Sequence, residues 1–73
     1  MIAPEVQKII ADLPLKIKKV RKARGYSQKY LAQRLNISQN IFSKVERGEI
    51  EMSIERLIII ADVLDVEVLN LLS

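Results

Sequence analysis

The chain contains neither cysteine nor histidine. The first absence excludes a disulfide framework and a thiolate metal site, and it suits a reducing compartment. The second removes the usual base of neutral-pH catalysis and, together with cysteine, the two commonest soft metal ligands. A glycine-rich phosphate loop and a coherent pair of carboxylates are also missing. No enzyme, cofactor or metal site is therefore expected. No apolar run reaches membrane-spanning length: Leu57 to Ala61 is apolar, but Asp62 and Asp65 interrupt it. The N-terminus lacks the basic segment and long apolar stretch of a secretion signal, so a cytoplasmic location is expected. Repeats, low-complexity tracts and Pro/Gly-rich linkers are absent too. A chain of 73 residues then makes one domain, near the lower size at which an unaided core holds, with no room expected for an effector domain.

Charge is plentiful but uneven. The net charge of +3 hides a division between the two halves. Lys16, Lys18, Lys19, Arg21, Lys22, Arg24, Lys29 and Arg34 fall within residues 15–34, which hold no acid. Residues 49–73 hold Glu49, Glu51, Glu55, Asp62, Asp65 and Glu67 against Arg56 alone. A basic half suits a polyanion, although a solvated lysine-rich helix has the same composition.

The apolar periodicity is helical throughout, which gives an all-α fold of five helices, with or without a sixth at the N-terminus. Val6, Ile9, Ile10 and Leu13 form an amphipathic stripe, and Pro4 suits the first turn of its helix. Pro14 is expected to break or kink the chain, or to open the next helix. That helix runs to about Arg24 with Ile17 and Val20 inward, and Gly25 suits its stop. Residues 1–14 are thus assigned to an N-terminal helical extension and residues 15–73 to the main domain. Ser27, Ser38 and Ser53 are candidate N-caps for three further helices. The inward faces of these helices are Leu31–Ala32–Leu35, Phe42–Val45 and Leu57–Ile60–Ala61–Leu64. Asn36 tolerates the left-handed conformation of a sharp turn, and Gly48 ends the third helix. Val66, Val68, Leu71 and Leu72 serve a short last helix.

Counting from Gln28, apolar residues fall at the fourth, eighth, tenth, fifteenth and eighteenth places: Leu31, Leu35, Ile37, Phe42 and Val45. A small residue, Ala32, stands fifth, where two helices would cross closely, and Asn36 takes the turn position. This pattern resembles the Cro/C1-type (xenobiotic-response-element-like) helix-turn-helix family of phage repressors and bacterial regulators, whose fold is lambda-repressor-like. The resemblance spans about residues 15–72, through SQKYLAQRLNIS, SKVERG and MSIERLIIIADVLDV.

The resemblance implies double-stranded DNA as partner, read by the helix at about 38–47 in the major groove, by a bacterial or phage-encoded protein associated with the nucleoid when bound. It places Gln28 against a phosphate, with a further role in steadying Gln39 left open. It makes Gln39, Asn40, Ser43 and Lys44 base-facing. Their chemistry agrees: Gln and Asn amides can pair with adenine, and Lys can donate to guanine acceptors. Lys18, Arg24 and Arg47 are the candidate phosphate contacts. Arg21 and Glu46 match a pair that the family usually buries between the first and third helices. Two departures stand out. Glu49, Ile50 and Glu51 follow Gly48, where the family often carries basic or small polar residues, and acids there are expected to repel the phosphate backbone; Asn36 replaces the usual Gly.

Ile59, Val63 and Leu69, added to the N-terminal stripe, make more apolar surface than a five-helix core requires. Either the N-terminal helix folds onto its own domain or two chains pair, and a homodimer is expected because such proteins read two-fold operators. Three functions fit these features. The first is a small transcriptional regulator, a repressor. The second is an antitoxin that holds DNA and a toxin enzyme. The third is a protein-interaction adaptor that keeps the fold without binding DNA, which the Glu49–Glu51 loop favours.

Overall fold

The computed structural model describes residues 2–73 as five helices: α1 (Pro4–Ala23), α2 (Gln28–Leu35), α3 (Gln39–Glu46), α4 (Ile54–Leu64) and α5 (Val68–Leu72). The described residues contain no strand. Among them, no helix is long and apolar enough to cross a membrane.

The separate N-terminal helix is not seen, because α1 runs unbroken across Pro14. A proline inside a helix leaves the carbonyl four residues back, here that of Ile10, without its helical partner. Ile10 is exposed, so water can take that role. The ring itself is useful: a Cβ built on Gly48 would lie 3.6 Å from Pro14 Cγ, so the proline sits against the end of α3. Leu13 before it and Ile17 after it both pack into the core. That tertiary anchorage on either side of the ring outweighs its local preference for a break.

The three serine caps form as their positions dictate. Ser27, Ser38 and Ser53 each accept a hydrogen bond from a backbone N–H three residues on, those of Tyr30, Ile41 and Arg56. Helices α1 to α4 then end alike. A residue with left-handed backbone follows the last turn at Gly25, Asn36, Gly48 and Asp65, with φ of 77, 58, 73 and 57°. The next N–H folds back onto the last turn in each case: Tyr26 to Arg21, Ile37 to Ala32, Glu49 to Lys44 and Val66 to Ala61. Asp65 is the stop that the sequence did not announce, since an aspartate takes this conformation less readily than glycine.

Ile17, Leu31, Phe42, Val45, Ile60, Leu64 and Leu71 are fully buried and draw on all five helices. Ala32, at 2% exposure, lets α2 and α3 approach closely. Helix α4 packs on both α2 and α5, so it buries a wide arc. Val63 is for that reason in the core and not surplus surface as expected. Ile59 and Leu69 are exposed. So are all residues from Glu5 to Asp12, which rules out an N-terminal helix folded onto its own domain. The first half of α1 projects past the core, and the molecule measures 35 × 22 × 19 Å.

Candidate nucleic-acid interface

Helix α3 has two opposed faces. Phe42, Val45 and Glu46 point inward, while Gln39 and Asn40 in the first turn are exposed. Ser43 and Lys44 continue the outer face half-buried, and Arg47 closes it. At 100° per residue, positions 39, 40, 43, 44 and 47 share one side of the helix. Because Ser38 satisfies the amide of Ile41, this first turn is fixed without drawing on the side chains of Gln39 or Asn40.

The angle at which α3 is presented rests on a buried polar cluster. Arg21 Nε donates to Glu46 Oε2 at 2.6 Å and its Nη2 donates to Glu46 Oε1 at 3.0 Å. Its Nη1 donates to the Tyr26 carbonyl at 2.8 Å. Arg21 is 7% exposed and Glu46 4%, so water contributes little. Gln28 completes the cluster, its Nε2 donating to Glu46 Oε1 at 2.9 Å. Four segments are thereby joined: the end of α1, the turn after it, the first residue of α2 and the last of α3. No buried side-chain nitrogen or oxygen among the described residues lacks a partner, which is the condition under which a buried ion pair orients helices without a large desolvation loss. The Gln28 amide thus goes to Glu46 and not to Gln39.

Lys18 on α1 and Arg24 at its C-cap are separated by the helix itself. Helical spacing places Lys18 and Arg24 about 60° to either side of Arg21. Arg24 Nη2 donates to the Asp65 carbonyl at 3.0 Å, which turns it toward the end of α4. A cation there also suits the negative end of the α4 dipole. Lys18 lies on the other flank, the side of Pro14, and is exposed. Lys29 at the start of α2 is also exposed.

At the far end of α3, Arg47 donates to both Glu49 and Ser43. The Arg47 hydrogen bond, reinforced by the Arg47 and Lys44 charges, lowers the Glu49 carboxyl below its ordinary pKa. Glu49 therefore offsets positive charge on this surface. Sequence reasoning had Glu49 only as a repulsive acid, and the two-residue spacing to Arg47 was the signal that it had a partner. Arg34 is likewise engaged, its Nη1 donating to the Tyr30 hydroxyl at 2.9 Å.

Comparison with known proteins agrees with this arrangement. A search of the curated proteins finds no match. The family model described as Helix-turn-helix matches residues 17–71. Among solved structures, the clp gene regulator ClgR from Corynebacterium glutamicum superposes with a TM-score of 0.83 and 26% identity, over 88% of this chain and 68% of that one. The restriction-modification controller protein C.AhdI from Aeromonas hydrophila gives 0.78 and 27%, over 85% and 90% of the two chains. A hypothetical transcription factor, NHTF from Neisseria, gives 0.82 and 26%, over 100% and 84%. With its five helices, its turn at Asn36 and a match over most of its length, the chain belongs to the Cro/C1-type helix-turn-helix family of DNA-binding regulators.

Proposed function

We propose that the protein is a sequence-specific double-stranded DNA-binding regulator of transcription, of the repressor type, which acts as a homodimer with α3 in the major groove. One observation carries this: Gln39, Asn40, Ser43 and Lys44 project from one outer face of a capped helix whose angle is set by the Arg21–Glu46–Gln28 cluster. Amide and ammonium groups are the side chains that discriminate adenine and guanine edges. The regulators with similar structures support the same use of the fold. Lys18 and Lys29 supply phosphate attraction beside the reading helix. Arg47 joins them once it exchanges Glu49 for a phosphate. Gln28 commits its amide nitrogen to Glu46, so it positions α3 more than it binds phosphate. Arg24 is spent on Asp65.

Selection of bound duplexes from a random pool tests the reading. The expected result is a two-fold motif whose half-sites lie about 34 Å apart, one turn of the duplex. Affinity should fall steeply as salt rises, because phosphate contacts release counterions. Lys18→Ala should weaken all duplexes and flatten that slope, whereas Arg24→Ala should leave it unchanged. Recovery of no motif, together with salt-insensitive binding, refutes DNA reading and leaves the adaptor function.

A further inference from the structure

The N-terminal half of α1 carries an apolar row with nothing packed on it. Val6, Ile9 and Ile10 are 46, 41 and 57% exposed, and Ile2 ahead of the helix is 51% exposed. With Leu13 they fall within an arc of about 100°. Along one flank of that row run Glu5, Lys8, Asp12 and Lys16, which alternate in charge. Glu5, Lys8 and Asp12 form no ion pair among the described residues, and Lys16 donates to the Ser73 carbonyl at 2.7 Å, which leaves its ammonium two further donors.

We propose that this row is the contact surface for a second copy of the same chain, the two α1 arms packing antiparallel about a two-fold axis near Ile10. The charge order selects both partner and direction. In a parallel pair this flank would face the partner's other flank, that of Gln7, Ala11 and Pro14, which offers no charge to pair with. Reversed, the flank becomes its own complement: Lys8 meets Asp12 of the partner subunit and Glu5 meets Lys16 of the partner subunit. The same register stacks Ile10 on its counterpart and Val6 beside Leu13 of the partner subunit. Opposite charges on such flanks set helix orientation, and like charges oppose it. Ten residues of helix offer only about 15 Å of contact, less than a standard interface requires. The apolar surface continues on both sides of the arm, however. One groove beside it is lined by Leu71 and Leu72, the other by Ile50 and Met52.

This inference rests on the dimeric part of the proposed function and not on DNA reading, so its test uses the full chain without DNA. Sedimentation velocity over a concentration series should show a monomer–dimer equilibrium. Ile10→Glu should weaken it at least about tenfold, with the thermal midpoint of the dilute, monomeric chain unchanged because Ile10 lies outside the core. Lys8→Glu and Asp12→Lys should each weaken the dimer, and the two together should restore it. The chain has no cysteine, so a single introduced one reports geometry cleanly. Ile10→Cys should form a disulfide-linked dimer on mild oxidation, and Val6→Cys should not. A monomer at all concentrations, a dimer indifferent to Ile10→Glu, or equal cross-linking at both positions overturns the proposal. The last two outcomes leave DNA reading and dimerisation intact. Loss of DNA binding alone would refute the proposed function and leave this interface standing.

Discussion

Removing the Glu46 carboxylate tests whether the Arg21 cluster carries the orientation of α3. In Glu46→Ala, Arg21 keeps one hydrogen bond, to the Tyr26 carbonyl, and loses both contacts to the acid. A guanidinium 7% exposed cannot recover them from water. Gln28 loses its partner in the same step. Breaking a buried pair from one side costs about 3–5 kcal/mol, most of it the uncompensated charge left behind. A domain of this size is stable by about 4–11 kcal/mol at the usual value per residue. The substitution should therefore consume about a quarter or more of the total and lower Tm by at least about 12 °C. Urea unfolding followed by circular dichroism measures this, with an unchanged m-value as the control that both states keep their compactness. Should Glu46→Ala not fold at all, Glu46→Gln keeps the shape and one acceptor and should cost less. Arg21→Met combined with Glu46→Leu should recover most of the loss, because neither charge is then buried alone. A loss under about 1 kcal/mol for Glu46→Ala, the value of an exposed pair, would refute the argument and make the cluster incidental to the fold.

Three further predictions concern reading, charge and backbone. Gln39→Ala, Asn40→Ala and Lys44→Ala should each cost about 1–3 kcal/mol on the preferred duplex and relax preference at one or two base pairs; equal losses on all duplexes in a competition titration would reassign these residues to positioning. Glu49→Gln should tighten binding to duplexes of any sequence and steepen the salt dependence by about one counterion, because Arg47 is then released toward phosphate; unchanged affinity would show that Arg47 lies outside the contact. Pro14→Ala should restore the amide that Ile10 lacks and stabilise the fold by about 1–2 kcal/mol, less than the full helix-interior penalty of proline because its packing on Gly48 is lost; a lower Tm would show that this packing dominates.

The features legible in the sequence are those decided by a few neighbouring residues. Ser27, Ser38 and Ser53 cap their helices because a hydroxyl three residues before an amide finds it wherever the rest of the chain lies. Asn36 makes the turn for a similarly local reason, since its short polar side chain suits a left-handed backbone. Pro14 obeyed a local rule on paper and broke it in the structure, because Leu13 and Ile17 hold the helix to the core on both sides of the ring. Val63 failed as surface because α4 is covered from two directions, and periodicity on one helix reports only the widest face.

The candidate interface divides along the same line. Which side of α3 faces outward follows from helical spacing, so Gln39 and Asn40 could be singled out from the sequence alone. Which donors are free does not follow, because side chains compete for acceptors that folding brings close. Arg24 and Lys18 have similar charge and lie six positions apart, yet the Asp65 carbonyl, 41 residues from Arg24 in the chain, takes one of them. Glu46 lies 18 residues from Gln28 and claims its amide. Glu49, read as a liability, lies within reach of Arg47 and offsets its charge. A basic sequence half therefore overstates the charge offered to a phosphate backbone. In the proposed complex Lys18 and Lys29, both exposed, attract phosphate, with Arg47 held back by an acid that a phosphate would have to displace.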